Sequence, residues 1–116
     1  MRFLMFIVHD PDHTEQDAAD APPIEGWFDH VNERGNYIEG IRLHGIDQAT
    51  TVRVRGGKLL VSDGPFAETT EWIGGVAVLE CADLDEAIEI ARRNNMAHEG
   101  RIELRPVHSM GGPEPK

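Results

Sequence analysis

The side chains best suited to chemistry cluster around one turn, Asp63-Gly64-Pro65-Phe66-Ala67-Glu68-Thr69. With Asp63, Glu68 and Glu71, it brings three carboxylates into one short stretch. Neighbouring carboxylates can raise one another's pKa, which produces a general acid, or they can bind a cation. An aspartate in a turn commonly accepts a hydrogen bond from the backbone N–H two residues on, but here that residue is Pro65, which has none. The Asp63 carboxylate is therefore open either to a more distant backbone N–H or to a ligand.

Two further groups of residues can belong to the same site. Phe66 and Trp72 can wall a pocket for an apolar or aromatic ligand, or can simply cover a sheet edge or a subunit seam. His9 follows a strongly apolar segment, and histidine is a side chain suited to proton transfer. We predict the catalytic residues Asp63 and His9 and the ligand-binding residues Phe66, Glu68, Glu71 and Trp72.

Other motifs are weaker. The stretch His9-Asp10-Pro11-Asp12-His13 has four side chains that can bind metals, but it lacks the i, i+4 helical spacing of zinc motifs and is bent by its proline. We predict no metal and no cofactor. The lone Cys81 is interpreted as buried filler rather than as a nucleophile. Four basic or imidazole side chains alternate outward on predicted edge strands and are interpreted as solvated: Arg42, His44, Arg53 and Arg55. The chain has no Gly-rich phosphate loop and no Gly-x-Ser-x-Gly elbow, which argues against nucleotide hydrolysis and serine-hydrolase chemistry.

Composition limits the classes of partner that the chain is expected to bind. The 116 residues suffice for one domain, and 21 acidic against 11 basic residues give a net charge of −10. Such a chain is repelled by phosphate backbones and anionic lipid surfaces, so we expect no nucleic acid and no membrane as partners. The apolar stretch at residues 2–8 is far shorter than a membrane span and has no cleavage site after it. A single cysteine cannot form an internal disulfide, which favours a reducing cytoplasm.

The elements that must position these side chains follow from apolar periodicity. Residues 2–8 and 75–80 are apolar on both alternating sets, as in central strands that are covered on both sides. Residues 37–44 predict another strand, residues 51–61 a hairpin that turns at Gly56-Gly57, and residues 102–107 an edge strand with a proline. Residues 10–23 are polar and Pro-rich, which predicts a loop.

Two helices complete the pattern. Ile24, Trp27, Phe28 and Val31 recur at helical spacing after two prolines, and Gly35 is the expected stop. The second helix is predicted to begin at the N-cap Asp83 with Glu86 three residues on. Its predicted buried stripe comprises Leu84, Ala87, Ile88 and Ala91.

The resulting order is strand, helix, strand, hairpin, strand, helix, strand. This predicts an α+β fold of the ferredoxin-like, split βαβ type with an inserted β-hairpin. The domain is predicted at residues 1–108 and a flexible tail at 109–116. Since both helices must pack on one face of the sheet, the other apolar face needs a cover, which favours a homodimer.

At this point the chain resembles the YCII-related family, in particular its branch named for the DGPF motif. Residues 63–69 carry that motif intact, and "TTVRVRGGKLLVSDG", "DLDEAIEIA" and "IELRPV" add to the likeness, which covers residues 1–108. The resemblance implies a dimeric α/β barrel of ferredoxin-like subunits. It implies less about function: members are suspected enzymes or small-molecule binders, and some are associated with extracytoplasmic-function sigma factors.

Two departures from the family pattern limit which functional residues the resemblance can assign to this chain. The motif commonly continues with lysine and glutamate, whereas position 70 is Thr here and Glu71 stands alone. The wider family is proposed to use a His–Asp pair near the start of the first helix, but the only histidine of that helix is His30, further along. Two hypotheses follow: an enzyme of acid–base chemistry in a cavity that Asp63 and His9 share, or a non-catalytic dimer that binds a metabolite or a regulatory protein.

Overall fold

The computed structural model describes residues 1–64 and 72–108. Within them the chain forms six strands and four α-helices, which confirms the α+β class. The strands are β1 Arg2–His9, β2 Tyr37–Arg42, β3 Thr50–Arg55, β4 Lys58–Asp63, β5 Trp72–Glu80 and β6 Arg101–Pro106. The helices are α1 Glu15–Ala19, α2 Ile24–Glu33, α3 Leu84–Arg92 and α4 Met96–Glu99. Phe66, Glu68, Glu71 and the tail 109–116 lie outside the described residues.

Four strands form an antiparallel sheet in the order β2-β5-β1-β6, with β1 and β5 at its centre as predicted. These two strands are apolar on both faces, but the core cluster with the helices lies on only one of them. β6, which ends at Pro106, is an edge strand as predicted. The hairpin strands β3 and β4 pair with each other in a separate two-stranded sheet.

The hydrophobic core occupies one face of the four-stranded sheet. Phe3 and Met5 of β1 and Leu79 of β5 are almost fully buried there. Helices α2 and α3 cover this face with Trp27, Val31, Ala87, Ile90 and Ala91. The predicted packing of both helices on one face is therefore confirmed.

The opposite face of the sheet, here called the open face, is apolar as well. The register pairs Leu4 with Val78 and Phe6 with Val76, so all four side chains stand on this side. β2 adds Ile41, which pairs with Val76 and is exposed. None of the described helices contributes to the core cluster from this side.

Helix ends follow the sequence closely. α2 begins after Pro23, and Gly35 adopts a φ of +69° just beyond its end. At α3, the Asp83 carboxylate accepts a hydrogen bond from the Glu86 N–H at 2.9 Å. Glu86 reaches back to accept the N–H of Ala82 rather than that of the N-cap, so the capping box is a variant one.

Three expectations about helices and strands were wrong in detail. The segment 10–23 is not loop throughout, because Thr14 and Asp17 form a reciprocal capping box that begins α1. The buried stripe of α3 runs through Ala87, Ile90 and Ala91, while Leu84 and Ile88 are about half exposed. Strand β2 ends at Arg42 rather than at position 44.

The hairpin is amphipathic. Gly56 and Gly57 have φ values of +57° and +74°, which confirms the predicted two-glycine turn. One face is polar and basic, with Arg53, Arg55 and Lys58. The register places four apolar residues on the other face, and each is between 58% and 67% exposed: Val52, Val54, Leu59 and Val61.

Gly64, the second residue of the DGPF turn, has a φ of +100°. Its N–H donates to the Ala49 carbonyl, and its own carbonyl accepts the Thr51 hydroxyl, both at 2.7 Å. A β-carbon at this position would have free space, so the cost of a side chain comes from the backbone angle alone. Gly64→Ala is expected to lower the free energy of unfolding by about 1 kcal/mol or more.

Gly26 is the matched control, because it lies in α2 with free space around its β-position and a φ outside the positive region. Gly26→Ala should raise the free energy of unfolding by up to about 1 kcal/mol. Urea denaturation of both variants checks the pair. An unchanged midpoint for Gly64→Ala would contradict the strained angle.

Candidate functional site

A cavity of about 740 Å³ lies where β1 and β2 end and β5 begins, on the side of the sheet that the helices cover. Helix α2 and the segment 94–96 complete its boundary. Sites for small molecules generally measure roughly 300–1,000 Å³ and are mostly apolar with a few polar groups. The cavity fits both criteria, as its lining shows.

The floor of the cavity is made of small residues on the sheet. Gly40 of β2 pairs with Ala77 of β5, and Ala77 pairs in turn with Met5 of β1. One step along, Gly75 pairs with Ile7. Cross-strand partners share a face, and Met5 belongs to the core, so these positions all face the helices. At Gly75 a β-carbon would lie 3.0 Å from the Ile41 carbonyl, so neighbouring strands approach closely there.

Three aromatic rings form one wall. Trp27, Phe28 and Tyr37 meet edge to face, with ring centroids 5.2 to 6.0 Å apart. The indole N–H of Trp27 donates to the Ile90 carbonyl at 2.9 Å, which fixes the ring against α3. A β-carbon at Gly40 would collide with the Tyr37 hydroxyl, so this glycine lets the tyrosine ring lie against the strand. The contact with Tyr37 therefore explains why position 40 is a glycine, which its place in a strand alone did not reveal.

His9 and Trp72 stand together at the mouth of the cavity. They are cross-strand partners at the ends of β1 and β5, and their rings stack with centroids 4.0 Å apart and planes at 22°. Both side chains line the cavity and are half-buried. A stacked pair of flat rings that lines a cavity is a suitable platform for a planar ligand.

Polar groups lie at two places around the lining. Arg42 and His44 are exposed and line the cavity at the end of β2. Asn94 and Asn95 line the side that follows α3. The Asn94 side-chain oxygen accepts the Met96 N–H at 2.9 Å, whereas the side-chain oxygen of Asn95 is buried and has no hydrogen-bond partner within the described chain.

The predicted site residues divide into three groups. His9 and Trp72 come together in the cavity, as described above. Asp63 is exposed at the end of β4, where it pairs with Thr50 in the hairpin sheet, and it does not line this cavity. Phe66, Glu68 and Glu71 lie outside the described residues, so their predicted role stays a prediction.

Cys81 is buried, as predicted. Burial raises the pKa of its thiol to about 11, and the neighbouring Glu86 carboxylate adds to this rise. Near neutral pH the side chain is therefore a thiol rather than the thiolate that reacts as a nucleophile. The position supports the interpretation of Cys81 as core filler.

Comparison with known proteins decides the family. Residues 1–111 match the YCII-related domain. The chain belongs to the YCII-related family. The chain is also similar to an uncharacterized protein of Rhizobium meliloti (strain 1021), to which it is 43% identical over 77 residues. That match covers 65% of this YCII-related chain and 62% of the length of the relative.

Membership in the YCII-related family does not name a ligand or a reaction. Any statement about function therefore depends on the residues of the cavity. Arg42 and His44 were interpreted as solvated side chains of an edge strand, yet they line the cavity. In the sequence, Trp27 belongs to a helical apolar stripe and Tyr37 begins a predicted strand, and neither pattern indicates a cavity wall. The informative signal was the glycines at positions 40, 74 and 75 inside strands, since a glycine there often marks a close approach of a ligand or another chain segment.

None of the helices in the described part of the chain has the length and apolar character needed to cross a membrane.

Proposed function

We propose that this YCII-related protein binds a small molecule with an aromatic ring in the cavity. The stacked pair His9–Trp72 at the cavity mouth carries the proposal, because it offers a preformed flat surface next to an apolar interior. The wall of Trp27, Phe28 and Tyr37 supports the same ligand class. The intact motif at residues 63–69 supports placing the chain in the DGPF branch.

The neutral planar probe 2-naphthamide tests this function. The chain has two tryptophans, Trp27 and Trp72, and both line the cavity, so their two indole N–H signals report binding in nitrogen–proton NMR spectra. We expect both signals to shift with saturable dependence on the probe. Trp72→Leu should weaken binding about tenfold, read at the Trp27 signal, because the stacking surface is lost.

Phe6→Leu is the matched control. It makes the same aromatic-to-aliphatic change on the open face, opposite the cavity. Affinity for the probe should stay within about twofold of the wild type. Equal weakening in both variants, or no saturable shift at either indole, would contradict binding in this cavity.

A catalytic function is the alternative, and His9 is the observation that favours it. Its ring lines the cavity, where an imidazole can accept a proton from a ligand or donate one to it. The predicted partnership of His9 with Asp63 has less support, because Asp63 lies in the hairpin sheet. Acid–base catalysis by the pair stays a prediction, as does a regulatory role linked to sigma factors.

We also propose that the protein is a homodimer whose two open faces pack together, as in the dimeric barrel of ferredoxin-like subunits that the resemblance implies. Leu4, Phe6, Val76 and Val78 support this assembly, because they form a contiguous apolar surface without a helix over it. The shortest of the four strands have six residues. Over six residues, four strands present a plane of roughly 400 Å², given strand spacings of about 4.8 Å and rises of about 3.3 Å.

A standard interface needs about 800 Å² from each partner, so the planar sheet face alone is modest. The apolar face of the hairpin adds a second exposed surface with Val52, Val54, Leu59 and Val61. We propose that it contributes to the same assembly, since one partner then covers both apolar surfaces.

A further inference from the structure

We infer that the ligand of the cavity is an anion, specifically a small aromatic carboxylate. This inference rests on the ligand-binding function proposed above and adds the charge of the ligand. It starts from the composition of the lining in a chain that has 21 acidic residues. None of the described residues that line the cavity is Asp or Glu. The charged or titratable nitrogen groups among them belong to Arg42, His9 and His44.

Such a lining is informative because the chain as a whole is strongly acidic. A net charge of −10 means that an average surface patch repels anions. In the cavity, one guanidinium and two imidazoles stand without a described carboxylate among the lining residues. The described lining therefore carries one guanidinium and no carboxylate, unlike the acidic average of the molecule.

Arg42 is the residue expected to contact the negative group. Arg2 pairs with Glu80, and Arg92 and Arg93 pair with Glu89, but no described carboxylate lies within ion-pair distance of Arg42. Its guanidinium thus retains donors that match a carboxylate in a two-pronged geometry.

The strand register explains why Arg42 reaches this space. Arg42 pairs with Gly75, and Gly75 pairs with Ile7 on the helix-covered side, so the arginine stands on the cavity face of β2. Gly75 contributes no side chain beside Arg42, and a β-carbon there would lie 3.0 Å from the Ile41 carbonyl. A ligand whose ring lies against the His9–Trp72 pair can then direct its carboxylate towards Arg42, since both line the same cavity.

Three naphthalene probes of equal ring size test the charge: 2-naphthoate, the neutral 2-naphthamide and the cationic 2-naphthylmethylammonium. Binding is measured by isothermal titration calorimetry and by the indole signals of Trp27 and Trp72. We expect 2-naphthoate to bind about tenfold or more tightly than 2-naphthamide, and the cation to bind most weakly, because charge-assisted hydrogen bonds are stronger than neutral ones.

Arg42→Gln should remove most of the preference for 2-naphthoate and affect 2-naphthamide far less. Arg42→Lys keeps the charge but loses the planar fork, so an intermediate preference is expected. Arg53→Gln is the matched control, because it makes the same charge change on the exposed hairpin, outside the cavity. It should retain the full preference.

The outcomes separate the inference from the function on which it rests. If 2-naphthamide binds and 2-naphthoate binds no more tightly, the anion inference is overturned and the proposed function stands. If Arg42→Gln keeps the full preference for 2-naphthoate, the assignment of Arg42 as the residue that contacts the carboxylate is overturned. If none of the three probes shifts either indole, both are overturned.

Discussion

Trp27→Ala is expected to lower the free energy of unfolding by about 3–5 kcal/mol, the range for removing a large aromatic side chain from a core. Trp27 is only 4% exposed and packs within the cluster that joins β1, β5, α2 and α3. The truncation also enlarges a cavity that is already present beside it, so the core cannot close over the gap. A domain of this size is stable by only about 5–15 kcal/mol, so the loss is a large fraction of the total.

Trp27→Phe separates packing from hydrogen bonding in the same position. The indole N–H donates to the Ile90 carbonyl, which also accepts the Arg93 N–H at 3.2 Å. Since that carbonyl keeps one partner, the lost hydrogen bond should cost only about 1 kcal/mol, to which the smaller ring adds a packing loss.

Phe28→Ala is the control from the same helix, because Phe28 is 39% exposed and loses less buried area. Its expected cost is about 1–2 kcal/mol, because only part of the roughly 1.5–3 kcal/mol gained by burying a whole side chain is lost. Urea denaturation at one fixed protein concentration measures all three variants, since the apparent stability of a dimer depends on concentration. Equal losses for Trp27→Ala and Phe28→Ala would contradict the central place of Trp27 in the core.

The fold was largely predictable because its strongest signals are local. Residues 2–8 and 75–80 are apolar on both faces, and they became the central strands β1 and β5. The glycine pair at positions 56–57 fixed the hairpin through its backbone angles. The errors arose where the signals compete. In α3, apolar residues lie on more than one face of the helix. Packing against the sheet buries Ile90 rather than Ile88.

The candidate site was harder to predict because its parts come from distant segments. His9 and Trp72 meet only because β1 and β5 pair in a register that places them opposite each other. The sequence indicated both residues as site candidates for different reasons, but it did not indicate that they are in contact. Arg42 was interpreted as solvated, since nothing in its own segment shows that a glycine, Gly75, lies across from it. Asp63 was predicted as a site residue because of its motif, but it does not line the described cavity.

Phe6→Asp is expected to convert the proposed homodimer into a monomer. Phe6 stands on the open face between central strands, where it pairs with Val76. In a packed interface, an aspartate there places an unpaired charge among apolar side chains, which costs several kcal/mol for each of the two copies. In the monomer the same residue faces water, so the fold of one chain should tolerate it. Multi-angle light scattering should give about 26 kDa for the wild type, twice 12.9 kDa, and about 12.9 kDa for the variant.

Leu84→Asp controls for the added charge, because Leu84 is also an exposed apolar residue but lies on α3, away from the open face. It should remain a dimer. Val54→Asp tests the hairpin separately: a monomer or a weakened dimer would support the proposed contribution of its apolar face, because Val54 lies on that face with Leu59. A stable, folded wild-type monomer at micromolar concentration would contradict the assembly. In that case the open face and the apolar face of the hairpin would both remain in contact with water.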